Sequence, residues 1–185
     1  MKRIILTFFA VLAVAVGAYA QGDGKRKLTK EERKALEARM DSLDNARAVA
    51  AINDSAFVLE ADEVVFKRGY TAHVSYTTNF VAVRGDEAVV QVAFNVPWPG
   101  FNGLGGITLE GNITQYEKET DSRGNVYVTM NVTGRGISAR LFITLWSYGN
   151  KATVNIQQNF HSGKLTLNGT VVPVDESGVF KGTAF

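Results

Sequence analysis

This 185-residue chain has two histidines and no cysteine. Without cysteine there is no thiolate nucleophile, no thiolate metal site and no disulfide. His73 and His161 lie far apart in sequence, and no His-Glu-x-x-His or other close-spaced pair supplies the geometry of a zinc site. His73 alternates with Thr71 and Ser75 on a polar strand face, and His161 sits in the turn sequence "NFHSG". No serine occupies a Gly-x-Ser-x-Gly elbow. Glu117 and Glu119 lead into "TDSRGN", where carboxylates are read as solvated charge at a loop boundary. No catalytic residue, metal or cofactor is therefore assigned. The chain is read as non-enzymatic, with an unrecognised hydrolase as the remaining enzyme reading.

The richest candidate is a loop, "PWPGFNGLGG" at 97–106. Pro97 and Pro99 have no N–H to donate, so this stretch is not a central strand. Gly100, Gly103, Gly105 and Gly106 permit close backbone approach, and Trp98 and Phe101 add large apolar surfaces. Two readings stay open. Trp98, Gly100, Phe101, Gly105 and Gly106 form a ligand-binding lid over an apolar or amphipathic small molecule, or the aromatics plug the fold as structure. A phosphate cradle is excluded, because strands flank both sides and no Lys-Ser/Thr follows the glycines.

The elements that position this loop begin with "MKRIILTFFAVLAVAVGAYA". Lys2 and Arg3, a short apolar run and Ala18-Tyr19-Ala20 form the pattern of a signal peptide over 1–20, cleaved near Ala20. The expected location is the periplasm or cell envelope. Lys2 and Arg3 are two of the 20 basic residues, and all 18 acidic residues lie beyond residue 20, so the remainder carries 18 of each. A formally neutral chain, with its one basic cluster "KRKLTKEERK" interleaved with glutamates, has no nucleic-acid footprint.

Residues 21–28 read as a flexible leader and 29–185 as one β-rich domain behind a helix. Thr29 and Glu32 have capping-box spacing, and good helix formers run to about Asn53. Leu36, Met40, Leu43, Val49/Ala50 and Ile52 recur at helical spacing, a face that packs on the protein's own sheet or docks to an envelope protein. From Phe57 the period becomes two, over 57–66, 71–76, 79–84, 86–96, 107–117, 126–133, 137–146, 152–157 and 164–173. Connections this short join antiparallel neighbours. The expected fold is mainly β: one amphipathic helix, then an eight- or nine-strand antiparallel meander. It forms a strongly curved sheet or a lipocalin-like barrel, and periodicity does not choose between them. "GITLEGNITQY" (106–116) echoes "KLTLNGTVVPV" (164–174), placing Gly111 and Gly169 at equivalent positions where strands bend. Phe142 and Trp146 face away from Leu141, Ile143 and Leu145, so the helix or a partner is expected to cover that second face.

Two short motifs remain. Arg84-Gly85-Asp86 reads as a hairpin turn. Asp41-Ser42-Leu43 and Asp54-Ser55-Ala56 are similar to an Asp-Ser/Thr-apolar acceptor pattern, making Ser42 and Ser55 candidate O-glycosylation sites.

The combination of "FNVPWPGFNGLGGITLEG" with "WSYGNKATVNIQQNFHSGKLTLNGTV", behind an apolar leader and a helix, resembles the family called domain of unknown function 4251, over roughly 45–175. The matching steps are Pro97-Trp98-Pro99-Gly100, Gly105-Gly106-Ile107, the hairpin Gly149–Val154 and Leu167-Asn168-Gly169. Pro99 departs from the pattern. The resemblance implies export and a β-rich fold, and implies no activity. The leading expectation is an exported protein that binds an apolar or amphipathic small molecule in its curved sheet. The alternative is an envelope interaction protein with a solid core.

Overall fold

The computed structural model describes residues 27–66, 68–93, 106–135, 138–158 and 164–181. The chain divides into two units, Met1–Leu36 and Glu37–Phe185. In the first, the capping box forms in both directions before helix α1 (Lys30–Asn53). The Thr29 N–H donates to Glu32 Oε2 at 2.8 Å, and the Glu32 N–H donates to Thr29 Oγ1 at 3.2 Å. Two of the orphan amides of the first turn are thereby satisfied.

The second unit holds nine strands: β1 (Ala56–Phe66), β2 (Thr71–His73), β3 (Phe80–Arg84), β4 (Glu87–Ala93), β5 (Gly106–Thr120), β6 (Val126–Gly134), β7 (Ser138–Leu145), β8 (Lys151–Gln158) and β9 (Lys164–Pro173). From β3 to β9 each pairs antiparallel with the next, and β9 returns to pair with β1 from Phe57↔Pro173 to Phe66↔Leu165. The sheet is a closed barrel of eight strands. β2 stands outside the ring, on the part of β1 (Glu63–Val65) that runs past β3. Of the two architectures that periodicity left open, the closed one forms. Gly85-Asp86 is the expected two-residue hairpin turn, with Gly85 at φ 62°.

Closure depends on the two echoed glycines. A Cβ on Gly169 would overlap the Glu60 carbonyl of β1, and one on Gly111 would overlap the Thr133 carbonyl of β6. Beside each lies a register shift, between Ala61 and Glu63 in β1 and between Ile113 and Gln115 in β5. A bulge raises the local twist, and a bare glycine lets the neighbouring backbone come in close.

Alternate residues fill the interior. Phe57, Leu59, Val81, Val90, Met130, Leu141, Ile143, Val154 and Leu167 are each at most 5% exposed. Ala48, Ala51 and Ile52, from the last turns of α1, join the same core. The Tyr116 hydroxyl donates to the Ile52 carbonyl at 3.0 Å, and Asn45 Nδ2 donates to the carbonyls of Trp146 and Gly149 at 3.1 and 2.8 Å. The helix therefore closes the end of the barrel at which β5–β6 and β7–β8 turn. Its expected apolar face is only partly used, since Met40 and Leu43 are exposed. The aperture of a small barrel admits a turn or two, not a whole helix. The cover expected over Phe142 and Trp146 is likewise not provided by α1, whose buried residues face the interior.

Val58, Phe80 and Gln91 are buried outside the main interior cluster. The C-terminal segment, with a 3-10 turn at Val174–Glu176 against β1 and β3, bonds to the outer wall. Gln91 Nε2 donates to the carbonyls of Thr78 (3.1 Å) and Phe180 (2.8 Å), and its Oε1 accepts from Thr108 Oγ1 at 3.0 Å. The Phe180 N–H donates to Thr77, Ser177 Oγ to Glu60, and Lys181 pairs with Glu110. The segment is pinned along its length.

Candidate functional site

Ala93 and Gly106 pair as the last and first residues of β4 and β5. They stand at the barrel end opposite α1. Of the candidates in the aromatic glycine loop, Trp98, Gly100, Phe101 and Gly105 lie outside the described residues. Gly106 opens β5, where a Cβ would overlap the Val92 carbonyl, so its bareness is a packing requirement of the β4–β5 pair. Ile107, Phe66 and Leu165 stand near this mouth with part of their surface open.

A different site is assembled on the outer wall. Trp146 follows β7, is 44% exposed, and pairs across the hairpin with Lys151, whose carbonyl accepts its N–H at 3.0 Å. Register places Lys151 beside Thr170 and Thr153 beside Asn168. Asp62 is the extra residue of the β1 bulge opposite Gly169. With Ala152 and Gly169 as floor, these residues line an open groove of about 290 Å³. A smaller depression of about 120 Å³ lies between β4 and β5, lined by Arg84, Glu87, Glu110 and Asn112.

The groove's backbone is held in place. The Trp146 main chain is fixed by its own N–H, by the Asn45 amide on its carbonyl, and by the next N–H (Ser147) donating to Asn125 Oδ1 at 3.0 Å. Asn168 is locked by Thr153 Oγ1 donating to its Oδ1 (2.9 Å) and by its Nδ2 donating to Glu63 Oε1 (2.7 Å). A carboxylate can only accept, so the amide orientation is fixed, and one N–H and one lone pair of Asn168 stay free for another molecule. Further along the same wall Thr166 donates to Asn155 at 2.8 Å, and Arg140 lies 5.2 Å over the Phe142 ring. Sequence pattern put Trp146 on this outer face. What it lacked was the pairing register that brings Asp62, Lys151, Asn168 and Thr170 to it.

The remaining candidates scatter. His73 is exposed on β2, and His161 lies outside the described residues. Glu117 and Glu119 are exposed within β5, which runs to Thr120 and so takes them out of the expected loop boundary. Among the described residues no three His, Cys, Asp or Glu side chains gather in a way that could hold a metal ion. Ser42 is exposed in the middle of α1. Ser55 is half-buried at the helix-to-strand junction, with φ 51°. Burial pushes the Tyr116 phenol up, against an opposing hydrogen bond from Ser55. Asp121 is held below the usual carboxylate range, first by the Asn125 side chain and then by the N–H groups of Asn125 and Arg123 and the Tyr127 hydroxyl. Both groups serve structure, one at the helix plug and one in the β5–β6 turn.

Comparison with known proteins agrees with this architecture. The family model "Domain of unknown function (DUF4251)" matches residues 39–171. The crystal structure of a DUF4251 family protein from Bacteroides eggerthii is 44% identical, covering 80% of this chain and 99% of that one with a TM-score of 0.68. No curated protein matches. With the matched segment running from within α1 to the closing strand β9, the chain belongs to the DUF4251 family.

Proposed function

We propose that this protein is an exported, non-enzymatic binding protein of the cell envelope, in which the barrel is a solid scaffold and recognition takes place on its surface. One observation carries the reading. Among the described residues each of the eight barrel strands contributes interior side chains at most 5% exposed, whereas a ligand-sized cavity would leave its lining accessible. An eight-stranded barrel is at the size where side chains either fill the interior or leave room for one small ligand, and the buried side chains of the described residues support the filled state. Native mass spectrometry of the protein isolated from envelope fractions tests this. The expected spectrum is the bare chain, shortened by cleavage near Ala20. A lipid-like mass released on gentle activation would refute the filled-scaffold reading, and an uncleaved cytoplasmic chain would refute export.

A second reading, docking of an envelope protein through α1, is favoured by Met40 and Leu43, each 55% exposed. Met40→Glu with Leu43→Glu should leave the fold cooperative and abolish a co-purifying partner. Unchanged co-purification would count against it.

A further inference from the structure

The groove beside Trp146 has a composition that selects its ligand. Five polar side chains, Asp62, Lys151, Thr153, Asn168 and Thr170, surround a single aromatic face. An apolar ligand would strip water from those groups without replacing its hydrogen bonds, at a cost for each. A phosphate or other strong anion would meet one lysine and one aspartate, with no net attraction. A flat molecule with C–H groups on its face and hydroxyls around its edge fits every feature. Its C–H face meets the negative face of the indole. Its hydroxyls, each donor and acceptor, meet the acceptors Asp62 and Thr153 (whose proton is given to Asn168), the donor Lys151 and the mixed groups Asn168 and Thr170. The volume of about 290 Å³ lies just below the range of about 300–1,000 Å³ for small-molecule clefts, so it suits one or two rings. Preorganisation supports the same conclusion, because the Trp146 backbone and the Asn168 side chain are already held by bonds that a ligand need not form.

We infer that this groove is a carbohydrate-binding site, with the Trp146 indole as the platform for a pyranose ring and Asn168, Thr153 and Asp62 as its hydroxyl partners. This rests on the surface-recognition reading above and gives it a ligand class.

The test uses the chain's two tryptophans. The whole protein is prepared with 5-fluorotryptophan, the two fluorine resonances are assigned with Trp146→Phe, and gluco-, xylo-, galacto- and N-acetylglucosamine tetrasaccharides are titrated to millimolar concentration. With at least one of them the Trp146 resonance should move saturably while the Trp98 resonance stays. Trp146→Ala, followed by calorimetry, should weaken that saccharide at least about tenfold, and Asn168→Ala about threefold or more. Circular dichroism should show both variants folded. A saccharide that moves Trp98 alone, or no movement with any of the four, overturns the inference. Lauric acid is the separating probe. If it moves Trp98 while no saccharide moves Trp146, the surface reading fails as well; if neither probe moves anything, only the carbohydrate assignment falls.

Discussion

Replacing Gly169 by alanine tests how the barrel closes. The added methyl would lie 2.7 Å from Ala61 Cα and from the Glu60 carbonyl carbon, and nearer still to that carbonyl's oxygen, where ordinary contact begins at 3.4 Å. Relieving even the carbon contacts separates β9 from β1 by about 0.7 Å, which stretches a ladder bond of roughly 2.9 Å to about 3.6 Å, beyond hydrogen-bond range. Two flanking bonds are affected, and a buried backbone group left unpaired costs about 1–3 kcal/mol. The expected loss is therefore about 2–6 kcal/mol, a large fraction of the roughly 5–15 kcal/mol that holds a domain folded. In a chain of this size it lowers Tm by roughly 10 °C. Gly178→Ala is the control, because nothing lies within 4 Å of a Cβ there, and its effect should stay within about 0.5 kcal/mol. Urea unfolding followed by circular dichroism measures both. A Gly169→Ala protein that loses less than about 1 kcal/mol, or no more than the control, refutes the close approach of β1 and β9 at this point.

The helix plug, the β5–β6 turn and the C-terminal segment each give a further expectation. Tyr116→Phe removes the bond to Ile52 and should cost about 1 kcal/mol. In the parent protein the Tyr116 phenol, raised above 10.0 by burial, should be among the last to ionise in an ultraviolet titration. Its contribution is complete below the unfolded value and is lost as pH rises through the folded one, so the parent's advantage over Tyr116→Phe should shrink only in strong alkali. Asp121 shifts the other way, below 3.8. Its contribution is present above the unfolded value and fades as pH falls through the folded one, so a carbon-13 titration of its carboxyl should show a midpoint below that of free aspartate. A midpoint at or above 3.8 would contradict the turn's hydrogen bonds. Gln91→Ala leaves the Thr78 and Phe180 carbonyls and the Thr108 hydroxyl without this partner. It should cost about 2–4 kcal/mol and raise hydrogen exchange at the Phe180 amide; unchanged exchange there would mean that Gln91 does not hold the segment.

Local rules made much of this fold legible. Thr29 and Glu32 announced the helix start, alternation in Val126–Val132 and Ala139–Leu145 announced strands with one buried face, and Gly85-Asp86 announced a hairpin. Closure was not legible, because it depends on Phe57 meeting Pro173, a pairing with no local signature. The echoed Gly111 and Gly169 pointed to bends without saying that the bends would complete a ring. Residues after Pro173 carried no periodic pattern, since their bonds run to Gln91, Thr77 and Glu60, far back in the chain. For the candidate site, strand alternation showed that Trp146 faced outward. Its neighbours come from β1, β8 and β9, and only the register between those strands made them a groove.

The pairing of β1 with β9 also sets an order on folding. Seven strands can form as successive hairpins, each using the one before, but the first strand keeps a bare edge until the last has been made. Contacts between Val58 and Val172 or Leu59 and Val171 span most of the domain, the kind of long-range contact that slows folding. Until β9 arrives, β1 presents unpaired N–H and C=O groups beside an unfinished apolar interior, a template for pairing with another chain. A protein truncated before Lys164 would carry that edge permanently. Such fragments are where self-association of this chain should begin.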